Sequence, residues 1–135
     1  MRTIEWDDKF ILKIEKLDHQ HKEMFDLLCR LGETIGKKEG KDRQSAIYDD
    51  LIDLTQTHFE SEEEMMERLG YSDYQLHTDE HNFLLEVASN FKEKLELKGQ
   101  PMREGDMAFL LDWLEIHILG ADKKLGEFLT GRGVK

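Results

Sequence analysis

Four long segments of this chain repeat apolar residues at the 3.6-residue spacing of an α-helix, and each turns at least one histidine onto its apolar face. In the first, His21, Phe25, Leu28 and Ile35 share a face, with Met24 and Leu31 alongside. The second aligns Ile47, Leu51, Leu54, His58, Glu62, Met65 and Leu69. Tyr74, His77, His81, Leu84, Ala88, Phe91 and Leu95 form the third stripe. The fourth runs through Met107, Leu110, Leu114, His117, Ala121, Leu125 and Phe128, flanked by Asp122. Helices with such stripes must pack face to face, so the chain is predicted to bury imidazoles and carboxylates in its own core.

Punctuation sets the element boundaries. Residues 1–17 lack a helical stripe and read as an extended arm, docked through Trp6, Phe10, Ile11 and Ile14. Asp18 is the expected N-cap of the first helix, which Gly36 and Gly40 loosen near Lys37. Asp42 caps the second helix, and Gly70 suits its left-handed end. Ser72 with Gln75 spells a capping box for the third, which stops near Lys98 ahead of Gly99 and Pro101. The fourth spans about Glu104 to Leu129, before Gly131 and Gly133. Short connections favour antiparallel neighbours. The expected fold is all-α: an antiparallel up-down-up-down four-helix bundle over 18–130 with an extended N-terminal arm, making one domain of 1–135. One proline and 36% charged residues suit helices better than a turn-rich β fold, and 39% apolar residues suffice for one core.

Charge and targeting signals narrow the partners. Thirty acidic against 19 basic residues give a net charge of −11, which repels nucleic acid and anionic membrane surfaces. No apolar run is long enough to insert in a membrane, and the opening MRTIEWDDKF lacks a signal peptide's apolar centre. The lone Cys29 forms no internal disulfide and reads as an inert buried thiol. These features together point to the cytoplasm.

Burying a neutral polar group without a partner costs about 2 to 7 kcal/mol, and a charge costs more. First and third helices carry their polar interruptions near the N-terminus, second and fourth towards the C-terminus. Antiparallel packing therefore brings His21, His58, Glu62, His77, His81, His117 and Asp122 to a similar depth. A single core histidine is usually satisfied by a hydrogen bond. Five of them with two carboxylates hold too many acceptors and too little positive charge, a deficit that metal removes. His58 and Glu62 are four apart, as are His77 and His81, so each pair shares a helix face. His117 and Asp122 are five apart, about 140° around a regular helix, so the backbone must wind wider there or Asp122 must reach around. Gly120 lies between them. Seven ligands exceed the usual four of zinc, and nitrogen-rich donors disfavour calcium and magnesium. Two octahedrally inclined metals fit: with both carboxylates and a solvent oxygen bridging, the histidines divide three and two, leaving one vacant position.

At this point the chain resembles the bacterial hemerythrins over nearly its full length. The resemblance rests on Trp6, on Leu17-Asp18-His19-Gln20-His21-Lys22, and on His58-Phe59-Glu60-Ser61-Glu62. It continues through His77-Thr78-Asp79-Glu80-His81 and Trp113-Leu114-Glu115-Ile116-His117, followed by Asp122. The resemblance implies two iron ions, Fe2+ or Fe3+, joined by an oxo or hydroxo bridge. It implies His77, His81 and His117 on the saturated iron, His21 and His58 on the open one, and Glu62 and Asp122 as bridges. It further implies reversible dioxygen binding for storage, transport or delivery, not enzymatic turnover. The same family includes oxygen or redox sensors and members with peroxide or nitric oxide chemistry. A sensing domain and a peroxidase or ferroxidase are therefore the alternatives. The absence of an output domain before Lys135 favours a carrier or store.

Other features take plainer readings. His19 points away from His21 and is expected to face solvent. Of the acidic run Glu60, Glu62, Glu63 and Glu64, only Glu62 shares the direction of His58. Phe25, Phe59, Trp113, Leu114 and Ile118 are candidate pocket walls, and nothing in their spacing requires Tyr48, Tyr71 or Tyr74 near the centre.

Overall fold

A computed structural model of the chain describes residues 6–35, 37 and 40–135; residues 1–5 of the expected arm and Gly36 lie outside the described residues. The arm is less extended than its sequence suggested. A 3-10 turn occupies Asp8–Phe10, with the Asp7 carboxylate accepting from the Lys9 backbone N–H at 2.9 Å. Phe10 is buried and packs edge-on against Phe25, ring centroids 5.0 Å apart, while Trp6 lies 5.4 Å from Phe25. The first helix, α1, begins earlier than expected and spans Glu15–Glu33. Asp18 therefore sits inside its first turn instead of capping it. Its carboxylate reaches backwards, accepting from the backbone N–H groups of Leu12 at 2.8 Å and Lys13 at 3.1 Å. That grip holds Lys13 in the left-handed region at φ 66°.

Helix α2 spans Gly40–Leu69 and α3 spans Tyr74–Lys98. Gly70 and Gly99 end them in left-handed conformations, φ 71° and 62°, as their positions in the sequence suggested. The capping box expected from Ser72 and Gln75 does not form. Asp73 occupies the N-cap of α3 without a side-chain hydrogen bond, and the Gln75 amide donates forward to Asp79. The fourth rod begins with α4, Glu104–His117, and ends with α5, Lys123–Gly131. Between them Ile118–Asp122 forms one π turn, the wider winding that was one of the two ways the His117/Asp122 spacing could be met.

Contacts between rods establish antiparallel order. Along α2 and α3, Ser45 meets Glu96, Asp49 meets Lys92, and Glu63 meets His81, so one index rises as the other falls. Phe83 with Trp113, Glu80 with His117 and Asp73 with Lys124 do the same for α3 and the fourth rod. Leu12, ahead of α1, lies against Gly126 in α5, while His21 meets Asp122. The result is an all-α four-helix bundle, with no strand among the described residues. No described helix is long and apolar enough to cross a membrane.

The apolar interior is split in two. One cluster includes Met24, Phe25, Leu28, Leu84, Leu110 and Leu114. A smaller one gathers Leu12, Ile14, Leu17, Met66, Tyr71, Leu125 and Leu129. Every rod passes from one cluster to the other through a buried polar layer containing the seven histidine and carboxylate side chains. Each rod thus buries apolar surface on both sides of that layer, which fixes its depth and register.

Candidate metal centre

The polar layer draws on every rod. α1 supplies His21, α2 supplies His58 and Glu62 one turn apart, and α3 supplies His77 and His81 with the same spacing. His117 ends α4 and Asp122 ends the π turn. All seven side chains are at most 2% exposed.

The donor atoms form two overlapping groups. Glu62, His77, His81, His117 and Asp122 each offer one atom, all within 4.8 Å of one another. His21, His58, Glu62 and Asp122 form the second group under the same limit. Glu62 and Asp122 belong to both. Asp122 divides its oxygens: Oδ1 lies 3.0 Å from His77 Nε2 and 3.1 Å from His117 Nε2, while Oδ2 lies 3.1 Å from His21 Nε2. Glu62 uses a single oxygen, with Oε1 at 3.0 Å from His81, 3.5 Å from His77 and 3.6 Å from His58.

Short as these distances are, the inner nitrogens and oxygens lack hydrogen-bond partners. The Nε2 atoms of all five histidines, and both oxygens of Glu62 and of Asp122, are buried and unpaired. Their lone pairs converge on shared points instead of aligning with one another's N–H bonds. Such a set is expensive in a dry interior and suits metal ions coordinated at those points.

The buried imidazoles and carboxylates shift one another's protonation strongly. Burial pushes His58 down to about 4, against the pull of Glu62. Burial acts in the same sense on His117, but Asp122 and Glu80 override it and lift that imidazole to about 10. His77 is lifted to about 9 by Asp122 and Glu62 despite its burial. Burial and Asp122 both work to raise Glu62, yet His58, His77 and His81 hold it down at about 2. Burial would raise Asp122 as well, but His117, His21 and His77 hold it well below the usual carboxylate range. Both carboxylates are therefore held as anions by the imidazoles around them.

Around this layer the structure adds partners that sequence patterning missed. Gln20 Oε1 lies 2.7 Å from His58 Nδ1, while the Gln20 amide donates to Ser61 at 3.3 Å. Glu63 approaches His81 Nδ1 and Glu80 approaches His117 Nδ1, each at 3.3 Å. Phe59 stacks on His81 with centroids 3.7 Å apart, and Trp113 stacks on His117 at 4.9 Å. Of the other expected wall residues, Leu114 and Ile118 are buried, and Phe25 belongs to the larger core cluster. His19 is exposed and paired with Glu23 at 2.6 Å. Cys29 is exposed, not buried as expected. Tyr48 approaches the Met102 sulfur at 3.8 Å, and Tyr71 packs on Phe128.

Residues 12–129 match the hemerythrin HHE cation binding domain family. A bacteriohemerythrin from Methylococcus capsulatus is 33% identical over 113 residues, covering 84% of this chain and 86% of that one. A myohemerythrin from Theromyzon tessulatum is 32% identical over 120 residues, covering 89% and 88% of the two chains. A solved wild-type hemerythrin shares the fold with a TM-score of 0.87 at 30% identity, over 93% of this chain and 97% of that one. With the family match spanning nearly all of the bundle, the chain belongs to the hemerythrin family.

Proposed function

We propose that this chain binds dioxygen reversibly at a pair of iron ions, for oxygen storage, transport or delivery. The observation that carries this reading is the pair of donor groups sharing Glu62 and Asp122, one with three histidines and the other with two. In this reading His77, His81 and His117 hold one iron, His21 and His58 hold the other, and Glu62 and Asp122 bridge them. With an oxo or hydroxo bridge, the two-histidine iron would have fewer protein ligands than the three-histidine one. Held there, a pair of ferrous irons would supply one electron each, the two that dioxygen takes up on reduction to the peroxide level.

The chain's own residues make the site selective. A cavity of about 40 Å³ is lined by Met24, Thr55, Leu84 and Leu114, among others. Each of these four lies one helical turn from His21, His58, His81 and His117 respectively. Its lining is almost wholly apolar, which favours a small apolar molecule over water. Phe59 and Trp113 cover the faces of His81 and His117, excluding solvent from their ring planes. Gln20, Glu63 and Glu80 fix the outer nitrogens of three imidazoles and thereby the direction of each Nε2. A cavity of that size and lining accommodates a small molecule such as dioxygen.

An anaerobic titration with oxygen tests the proposal. Iron-loaded ferrous protein should be nearly colourless, gain a visible absorption band with one dioxygen per chain, and bleach again under vacuum. Irreversible conversion to the ferric state on the first exposure would overturn reversible binding and point to peroxidase or ferroxidase chemistry.

A further inference from the structure

The outer partners of the histidines are unevenly distributed. In the three-histidine group, His81 faces the Glu63 carboxylate and His117 faces the Glu80 carboxylate, while His77 Nδ1 has no partner. In the two-histidine group, His58 faces only the neutral Gln20 amide, and His21 Nδ1 has no partner. An imidazole that binds metal through Nε2 carries its proton on Nδ1, where an acceptor strengthens the imidazole as a donor. A carboxylate does so more than an amide because it draws the proton more strongly and adds a full negative charge. Glu63 and Glu80 have side chains 28% and 40% exposed, so solvent weakens their influence without removing it.

We propose that Glu63 and Glu80 are positioning residues that make the three-histidine site the electron-rich half of the pair, the half that keeps ferric iron. The two-histidine site, backed only by Gln20, is the more electron-poor half. This division rests on the ligand reading above and extends it. Neither glutamate touches the metal positions. Both act through the far nitrogen of a histidine, so the sign of their effect follows from their charge alone.

The test replaces charge while keeping shape. Iron is counted per chain, and the midpoint potential of the one-electron oxidation of the diferrous protein is measured in the parent, Glu63→Gln, Glu80→Gln and Gln20→Glu. Each glutamine variant should raise the potential, and the double variant should shift it at least tenfold in equilibrium constant, about 59 mV for one electron. Mössbauer spectra of the singly oxidised, iron-57-loaded parent should place ferric iron in the three-histidine environment. Gln20→Glu should lower the potential and spread ferric character over both irons. Unchanged potentials in all three variants at two irons per chain would overturn the proposal. Should a glutamine variant lose iron, Gln20→Glu with an unchanged potential overturns it alone. A parent that binds no iron would defeat the ligand reading itself, a failure distinguishable from the first by the iron count.

Discussion

Asp122 stands five residues after His117 on the same rod, yet its Oδ1 lies only 3.1 Å from His117 Nε2. On a regular α-helix the two would diverge by about 140°. The π turn of Ile118–Asp122 closes its backbone ring one residue later, so positions five apart come to face the same way. The second Asp122 oxygen then remains available to His21 across the bundle.

That placement gives Asp122 a test of its own. Asp122→Asn keeps the shape but removes the charge shared by the two donor groups. Bound iron should fall from two per chain to one or fewer, while far-UV circular dichroism stays helical. Two irons retained at normal affinity would contradict a bridging role.

Phe59 is 2% exposed and stacks on His81, so it is both core and cover. Phe59→Ala should cost about 3 to 5 kcal/mol through lost burial and the cavity left behind. The melting temperature of the iron-loaded protein should fall by roughly 10 to 20 °C, and its autoxidation should accelerate as water gains access. An unchanged melting curve would show that the neighbours close the gap.

Gly126 in α5 and Gly120 in the π turn should respond differently to alanine. A Cβ on Gly126 would meet Leu12 Cβ at 3.2 Å and Leu12 O at 3.3 Å, whereas one on Gly120 would meet nothing within 4 Å. Gly126→Ala should destabilise by about 1 to 3 kcal/mol through overpacking where the arm crosses α5. Gly120→Ala should be neutral or stabilising by up to about 1 kcal/mol. Urea denaturation midpoints check both, and equal shifts would contradict the contrast.

Asp18 should matter more than a helix cap alone. Its carboxylate satisfies two backbone N–H groups and holds Lys13 in a left-handed turn. Asp18→Ala should cost about 1 to 3 kcal/mol, read from the urea midpoint. A loss below a few tenths would mean that water replaces both bonds.

Much of this was legible in the sequence because helical period and antiparallel order together set depth. His58 with Glu62 and His77 with His81 needed only the four-residue spacing, and the His117/Asp122 interval called for either wider winding or a long reach, of which the π turn is the first. Residues whose roles depend on reach between rods were not legible. Glu63 belonged to an acidic run of which only Glu62 shared the direction of His58, and Glu80 drew no role from its spacing; their approach to His81 and His117 exists only once α2, α3 and α4 are in register. Gln20 sits beside His21 in sequence but serves His58 on another rod. Local capping rules failed at Asp18 and Ser72 for a related reason: the real partners lay in the preceding loop for Asp18, and the α3 start moved to Tyr74. Cys29, next to buried Leu28, fell just outside the stripe and reached solvent.

The central claim is that the unpaired nitrogens and oxygens of the buried layer are satisfied by two iron ions. Elemental analysis after anaerobic iron loading, paired with melting curves before and after chelation, tests it most directly. The account predicts two irons per chain and a melting temperature that drops markedly when they are removed. Fewer than one iron per chain, with a melting temperature indifferent to chelation, would contradict it.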